Sequence, residues 1–110
     1  MKIAIPLAEG KLAAHFGHCQ QFAVIDVDNN EIKNKALLTP PPHEPGVLPR
    51  WLGEMGVNLI IAGGMGQRAI ILFGEQQIQV IVGAQAEEPE ILVRQYLDQT
   101  LATGNNLCDH

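Results

Sequence analysis

A chain of 110 residues, 46% hydrophobic and 17% charged, is the size of one globular domain, which can fold without disulfides. Seven basic against twelve acidic side chains leave a net charge of −5. That balance argues against nucleic acid or an anionic membrane surface as partner, since both need a basic footprint. No stretch approaches the roughly 18 apolar residues of a membrane span, and Ile3-Ala4-Ile5 before Pro6 is too short for a signal peptide. The expectation is a cytoplasmic protein, in which Cys19 and Cys108 are free thiols or ligands rather than a bridge.

In chain order, Lys2–Pro6 reads as a first strand and Leu7–Ala14, which contains Gly10, as a loop. Gln21–Val27 is β-branched and partly alternating. Asp28-Asn29-Asn30 supplies turn chemistry, and Glu31–Leu38 is its exposed antiparallel partner, so a hairpin is predicted. Thr39–Gly46 is half proline, which excludes helix and central strand. Val47, Leu48, Trp51, Leu52 and Met55 then mark one face of a helix that ends before Gly56. Asn58–Ala62 and Ile78–Val82 are short apolar runs around a helix over Gly66–Phe73, a unit whose strands should be parallel and whose crossover right-handed. After Pro89, Ile91, Leu92, Tyr96 and Leu101 mark a closing helix with Gly104 beyond its end. Residues 1–110 therefore form a single α/β domain: a mixed five-stranded sheet with three flanking helices. Trp51 and Tyr96, on apolar helical faces, belong to its core.

Every histidine and cysteine falls in an irregular segment: His15, His18 and Cys19, then His43, then Cys108 and His110. Imidazole and thiolate are the ligands that zinc, copper, iron and sulfur-bridged clusters select. His15, His18 and Cys19 converge either in a turn through Gly17 or on one helical face. The spacing fits no closed zinc site, so an open or shared site is expected if metal binds. Turn-capping histidines and a small buried Cys19 are the bland alternatives.

The second signal, Gly64-Met65-Gly66-Gln67-Arg68-Ala69, stands between a strand and a helix, where glycines let backbone N–H groups approach an anion with Arg68 in reach. A dinucleotide site here, with Glu87 and Glu88 near the ribose position, and a plain strand-to-helix turn stay open. With no serine in the chain, serine hydrolysis is excluded. A Cys19 nucleophile with His15 or His18 remains the enzymatic alternative.

Ile3-Ala4-Ile5-Pro6, His15-Phe16-Gly17-His18 followed by Phe22, Gly56-Val57-Asn58, Gly63-Gly64-Met65-Gly66 with Ala69, and the final Cys108-Asp109-His110 together resemble the dinitrogenase iron-molybdenum cofactor biosynthesis family over essentially the whole chain. The resemblance implies a ribonuclease-H-like fold. It also implies handling of a metal–sulfur cluster or cofactor precursor, of Fe-S, Mo-Fe-S or Mo-Cu-S type, because the family includes cofactor carriers and the orange protein of sulfate reducers. By resemblance, the cofactor-binding residues are His15, Phe16, Gly17, His18, Gly64, Met65 and Gly66. Metal-ligand candidates are His15, His18, Cys19, His43, Cys108 and His110. The expected role is non-enzymatic: to carry or scaffold an anionic inorganic cluster and pass it to a protein partner. The two motifs leave neighbouring strands of the expected sheet and so should face one cleft.

Overall fold

The computed structural model describes residues 1–16, 19–42, 44 and 46–104. In chain order the elements are β1 (Lys2–Ala8), β2 (Lys11–Leu12), β3 (Gln21–Asp28), β4 (Glu31–Leu38), α1 (Val47–Glu54), β5 (Leu59–Ile61), α2 (Gln67–Glu75), β6 (Gln79–Ile81) and α3 (Pro89–Leu97). The sheet runs β4-β3-β1-β5-β6, with β2 beside β1. β3 is antiparallel to both β1 and β4, whereas β5 is parallel to β1 and β6, so the sheet is mixed as the sequence predicts.

The sheet has six strands rather than five. β1 continues through Ala8, and a tight turn at Glu9 and Gly10, both with positive φ, returns the chain as the two-residue β2. Two residues carry no readable alternation, which is why this stretch reads as loop in the sequence. The helical periodicity after Pro89 also runs past the true helix end. α3 stops at Leu97, Gln99 turns into the left-handed region (φ 61°), and Leu101 packs on the core from the extended chain beyond.

Side-chain parity divides the core into two layers. Ala4, Phe22, Val24, Ile60 and Ala62 face one side, where α1 contributes Leu48 and Leu52 and α2 contributes Phe73. Ile3, Ile5, Leu7, Ala23, Ile25, Leu59 and Ile61 face the other, where Leu92 and Val93 of α3 cover them. Trp51 and Tyr96 are partly buried, one against each layer. β4 forms one edge of the sheet, and every residue of it is exposed or half-exposed. No helix among the described residues is long and apolar enough to cross a membrane.

Candidate functional site

β1 changes partner along one edge, and this positions the site. β5 pairs Ile3 and Ala4, and β2 then takes over at Leu7 and Ala8, with β3 occupying the opposite edge throughout. Pro6, which lacks a backbone N–H, lies in the gap between those partners, and its carbonyl accepts from the Ala13 N–H at 2.9 Å. The chain leaving β2 therefore passes over the end of β5. There the Phe16 N–H donates to the Gly64 carbonyl at 2.8 Å. Gly63 fits because it has no side chain: a Cβ would lie 3.1 Å from the carbonyl oxygens of both Ala13 and Ala14. The His15 segment and the glycine turn are thus in direct backbone contact.

Phe16 fixes the segment from its side-chain end. Its half-buried ring meets Phe22 of β3 edge-on at 6.0 Å and Phe73 of α2 at 5.5 Å, and Phe22 in turn meets Trp51 of α1 at 5.8 Å. Such edge-to-face pairs add about 0.5–1.5 kcal/mol each beyond the area they bury. One aromatic cluster therefore ties the loop to a strand and both helices of this face.

Beside Phe16 opens a cleft of about 240 Å³, lined by Phe16, Gly46, Pro49, Arg68, Ala69 and Leu72. Gly46 is the N-cap of α1, and Arg68 and Ala69 are in the first turn of α2, so two helices begin at this cleft. Neither carries an acidic residue in its first turn or a side-chain cap, so the partial positive charge of both N-termini is uncompensated by the helices themselves. Arg68 adds a full positive charge. Among the described residues it makes no ion pair, in common with Arg50 and Lys11.

The predicted site residues fall in different places. His15 is exposed on the segment held against Gly64, and Gly66 is exposed at the start of α2. The Met65 side chain is fully buried in the core under α1 and α2, so it serves the turn by packing. Cys19 is also on the core side, 9% exposed, and burial pushes its thiol up to about 11. A buried thiol so shifted is a poor nucleophile near neutral pH. Gly17, His18, His43, Cys108 and His110 lie outside the described residues. Among the described residues, no three His, Cys, Asp or Glu side chains gather as a metal site. Glu87 sits beside β2, its carbonyl accepting from the Leu12 N–H at 3.0 Å, and Glu88 is the N-cap of α3.

One further connection reaches this end of the sheet. The Gly104 N–H donates to the Gly83 carbonyl at 2.7 Å, and the Gly83 N–H donates to the Gly63 carbonyl at 2.8 Å. Thr103 bridges Ala84 alongside. The chain immediately before residue 105 is thus two hydrogen bonds from the glycine turn.

Sequence reasoning did not single out Gly46, Pro49 or Leu72 for this cleft, and it named Arg68 only in passing. A usable signal existed. The positions three and four residues either side of Arg68 are Gly64, Met65, Ile71 and Leu72, so no carboxylate on its own helix can pair with it, whereas Arg94 has Glu90 and Asp98 at those spacings.

A family model described as dinitrogenase iron-molybdenum cofactor matches residues 1–99. An uncharacterized protein of Methanocaldococcus jannaschii is 36% identical over 85 residues, 73% of this chain and 72% of that one. The crystal structure of PH0822 superposes with a TM-score of 0.87 at 25% identity, covering 94% of each chain. The apo form of the orange protein from Desulfovibrio gigas has the same fold, with a TM-score of 0.72 at 18% identity over 96% of this chain and 93% of that one. With nearly its whole length matched, this chain belongs to the dinitrogenase iron-molybdenum cofactor family.

Proposed function

We propose that this protein is a non-enzymatic carrier or scaffold for a metal–sulfur cluster or its precursor, held as cargo between the His15 segment and the start of α2. The observation that carries the reading is the Phe16-to-Gly64 hydrogen bond, which sets an imidazole-bearing loop against a turn opening into two acid-free helix starts. Membership of a family linked to iron-molybdenum cofactor supports the class of cargo.

In this reading His15 and His18 supply ligands or charge-assisted hydrogen bonds, and the backbone around Gly64–Gly66, with the α2 N-terminus, faces the cargo's negative charge. His43, Cys108 and His110 are further candidate ligands. Cys19 is left out, because its side chain is buried among the core residues. The same burial disfavours the cysteine-dependent enzyme. Outer contacts rather than a closed ligand cage suit a cargo that must be released to a protein partner. The setting is cytoplasmic, where sulfide-rich clusters meet reduced thiols.

Anaerobic reconstitution with molybdate, copper or iron plus sulfide should give a visible charge-transfer band. Combined His15→Ala and His18→Ala should weaken that band. An unchanged spectrum removes both histidines from the site, and no band with any of the metals overturns the carrier reading.

A further inference from the structure

The two edges of the sheet differ in length. β4 runs for eight residues, whereas β6 at the other edge has three. A long edge strand is a template on which another strand can add. Apolar surface lies beside it: Leu37 is 52% exposed, Ile91 of α3 is 40% exposed, and Ile32 and Ile91 line a groove of about 390 Å³ between β4 and α3. The β4 strand of a second copy would meet backbone hydrogen-bonding groups and apolar surface together.

The backbone of this edge is nevertheless out of step with a regular strand. The Val27 N–H donates to the Met1 carbonyl at 2.8 Å, and the Met1 ammonium donates to the Val27 carbonyl at 3.1 Å. Alternation along β3 therefore turns the backbone groups of Val27, Ile25 and Ala23 toward β1. Their partners on β4, which are Ile32, Lys35 and Leu37, turn theirs outward from the sheet. Between Asp26 and Val27 the register shifts, because β4 carries Lys33 as an extra residue. The outward groups are thus three residues apart from Ile32 to Lys35 and two apart from Lys35 to Leu37. A regular partner strand presents its groups at every second residue and cannot meet all three. The middle position is also engaged already, since the Lys35 N–H donates to Asn34 Oδ1 at 3.0 Å.

We propose that the Lys33 bulge and the Asn34 side chain close β4 to strand addition, so that the chain does not pair edge to edge with a second copy of itself despite the apolar surface beside that edge.

Sedimentation velocity and amide hydrogen exchange on the full chain test this. Wild type should stay monomeric up to about 0.5 mM, and its Lys35 amide should exchange at least about tenfold more slowly than the outward Leu37 amide. Deleting Lys33 together with Asn34→Val restores an unbroken register with β3 and frees the Lys35 amide. That variant should dimerise at least about tenfold more tightly than wild type. Adding Lys35→Pro to it should restore the monomer, because proline is tolerated where the N–H faces away from the sheet and leaves no donor for a partner. Asn34→Val alone keeps the bulge, so it should fall between wild type and the double change and should speed exchange at Lys35; it carries the test if the deletion unfolds the chain. Both opened variants remaining monomeric over the same range would overturn the proposal. So would wild-type dimers that Lys35→Pro dissolves, or dimers of the opened variant that Lys35→Pro leaves intact. Equal exchange at Lys35 and Leu37 in wild type overturns the part assigned to Asn34.

Discussion

The two faces of the sheet use charge in opposite ways. On the α3 side, Lys35 of β4 pairs with Glu90 at 2.7 Å and Arg94 with Asp98 at 2.9 Å, and the third ion pair among the described residues, Lys33 with Glu31, lies within the edge strand β4. Arg94 also donates to the Asn30 carbonyl, and α3 starts with Glu90 in its first turn, where a carboxylate complements the helix dipole. On the α1 and α2 side both helices start without an acid, and Arg50 and Arg68 make no ion pair among the described residues. The α3 face also has the larger groove, about 390 Å³ between Ile32 and Glu90–Gln95, but its charges are already neutralised. Available positive charge, rather than cavity size, separates the candidate site from the rest of the surface.

Substitutions in the aromatic cluster should break this contrast most severely. Phe73→Ala removes a fully buried ring and should cost about 3–5 kcal/mol, lowering the stability of the whole fold in chemical denaturation. Phe16→Ala removes a half-buried ring on the same cluster and should cost about 2 kcal/mol, with a disproportionate loss of cargo binding because the His15 segment loses its anchor. If Phe16→Ala binds cargo as wild type does, the ring is core filler and not an anchor.

A smaller effect is expected where the chain returns to the site end. Gly83 has φ +83°, and a Cβ there would run into the Gly104 carbonyl, so Gly83→Ala should cost about 1–2 kcal/mol and expose the Gly104 amide to hydrogen exchange. Retained protection of that amide would show that the contact is dispensable.

Alkaline pH should sharpen the contrast between the buried thiol and the exposed imidazole. Burial raises the Cys19 pKa above its unfolded value, so the folded state holds the proton more tightly there. Its contribution to stability is complete below about pH 8.5 and is lost as pH rises toward 11. In native protein near pH 8 a thiol reagent should therefore react slowly at Cys19, and at its full rate after unfolding. Fast native labelling of Cys19 contradicts its placement in the core.

The smallest effect belongs to the opposite face. The hydrogen bond from Lys35 holds the Glu90 carboxyl below its ordinary pKa, so this pair adds stability above the unfolded carboxyl's pKa and loses it as pH falls through the folded one. Both groups are exposed enough to be screened, so Lys35→Ala should cost about 0–1 kcal/mol, with the difference from wild type vanishing in acid. A larger cost would show that the α3 face depends on charge for more than trimming its surface.

Much of the architecture could be read from the chain because strand parity and helical spacing are local properties. Ala4 against Ile3 and Ile5, and Ile60 against Leu59 and Ile61, already sort into the two core layers. What escaped was either too short for a period, as with Lys11–Leu12, or fixed by one backbone conformation, as at Gln99. The meeting of His15 and Gly64 followed from β1 and β5 being parallel neighbours. The inward turn of Met65 and Cys19 did not, because side-chain direction in an irregular segment depends on packing with residues far away in sequence. Arg68 shows a third case: its lack of a carboxylate partner is visible in the helix spacing, but its place beside Phe16 and Pro49 exists only in the folded chain.

An amide chemical-shift map during anaerobic addition of tetrathiomolybdate tests the central claim most directly. Perturbations concentrated at His15–Phe16, Gly64–Ala69 and Gly46–Arg50 are the predicted result. Shifts confined to Ile32 and Glu90–Gln95, or none anywhere, would contradict it.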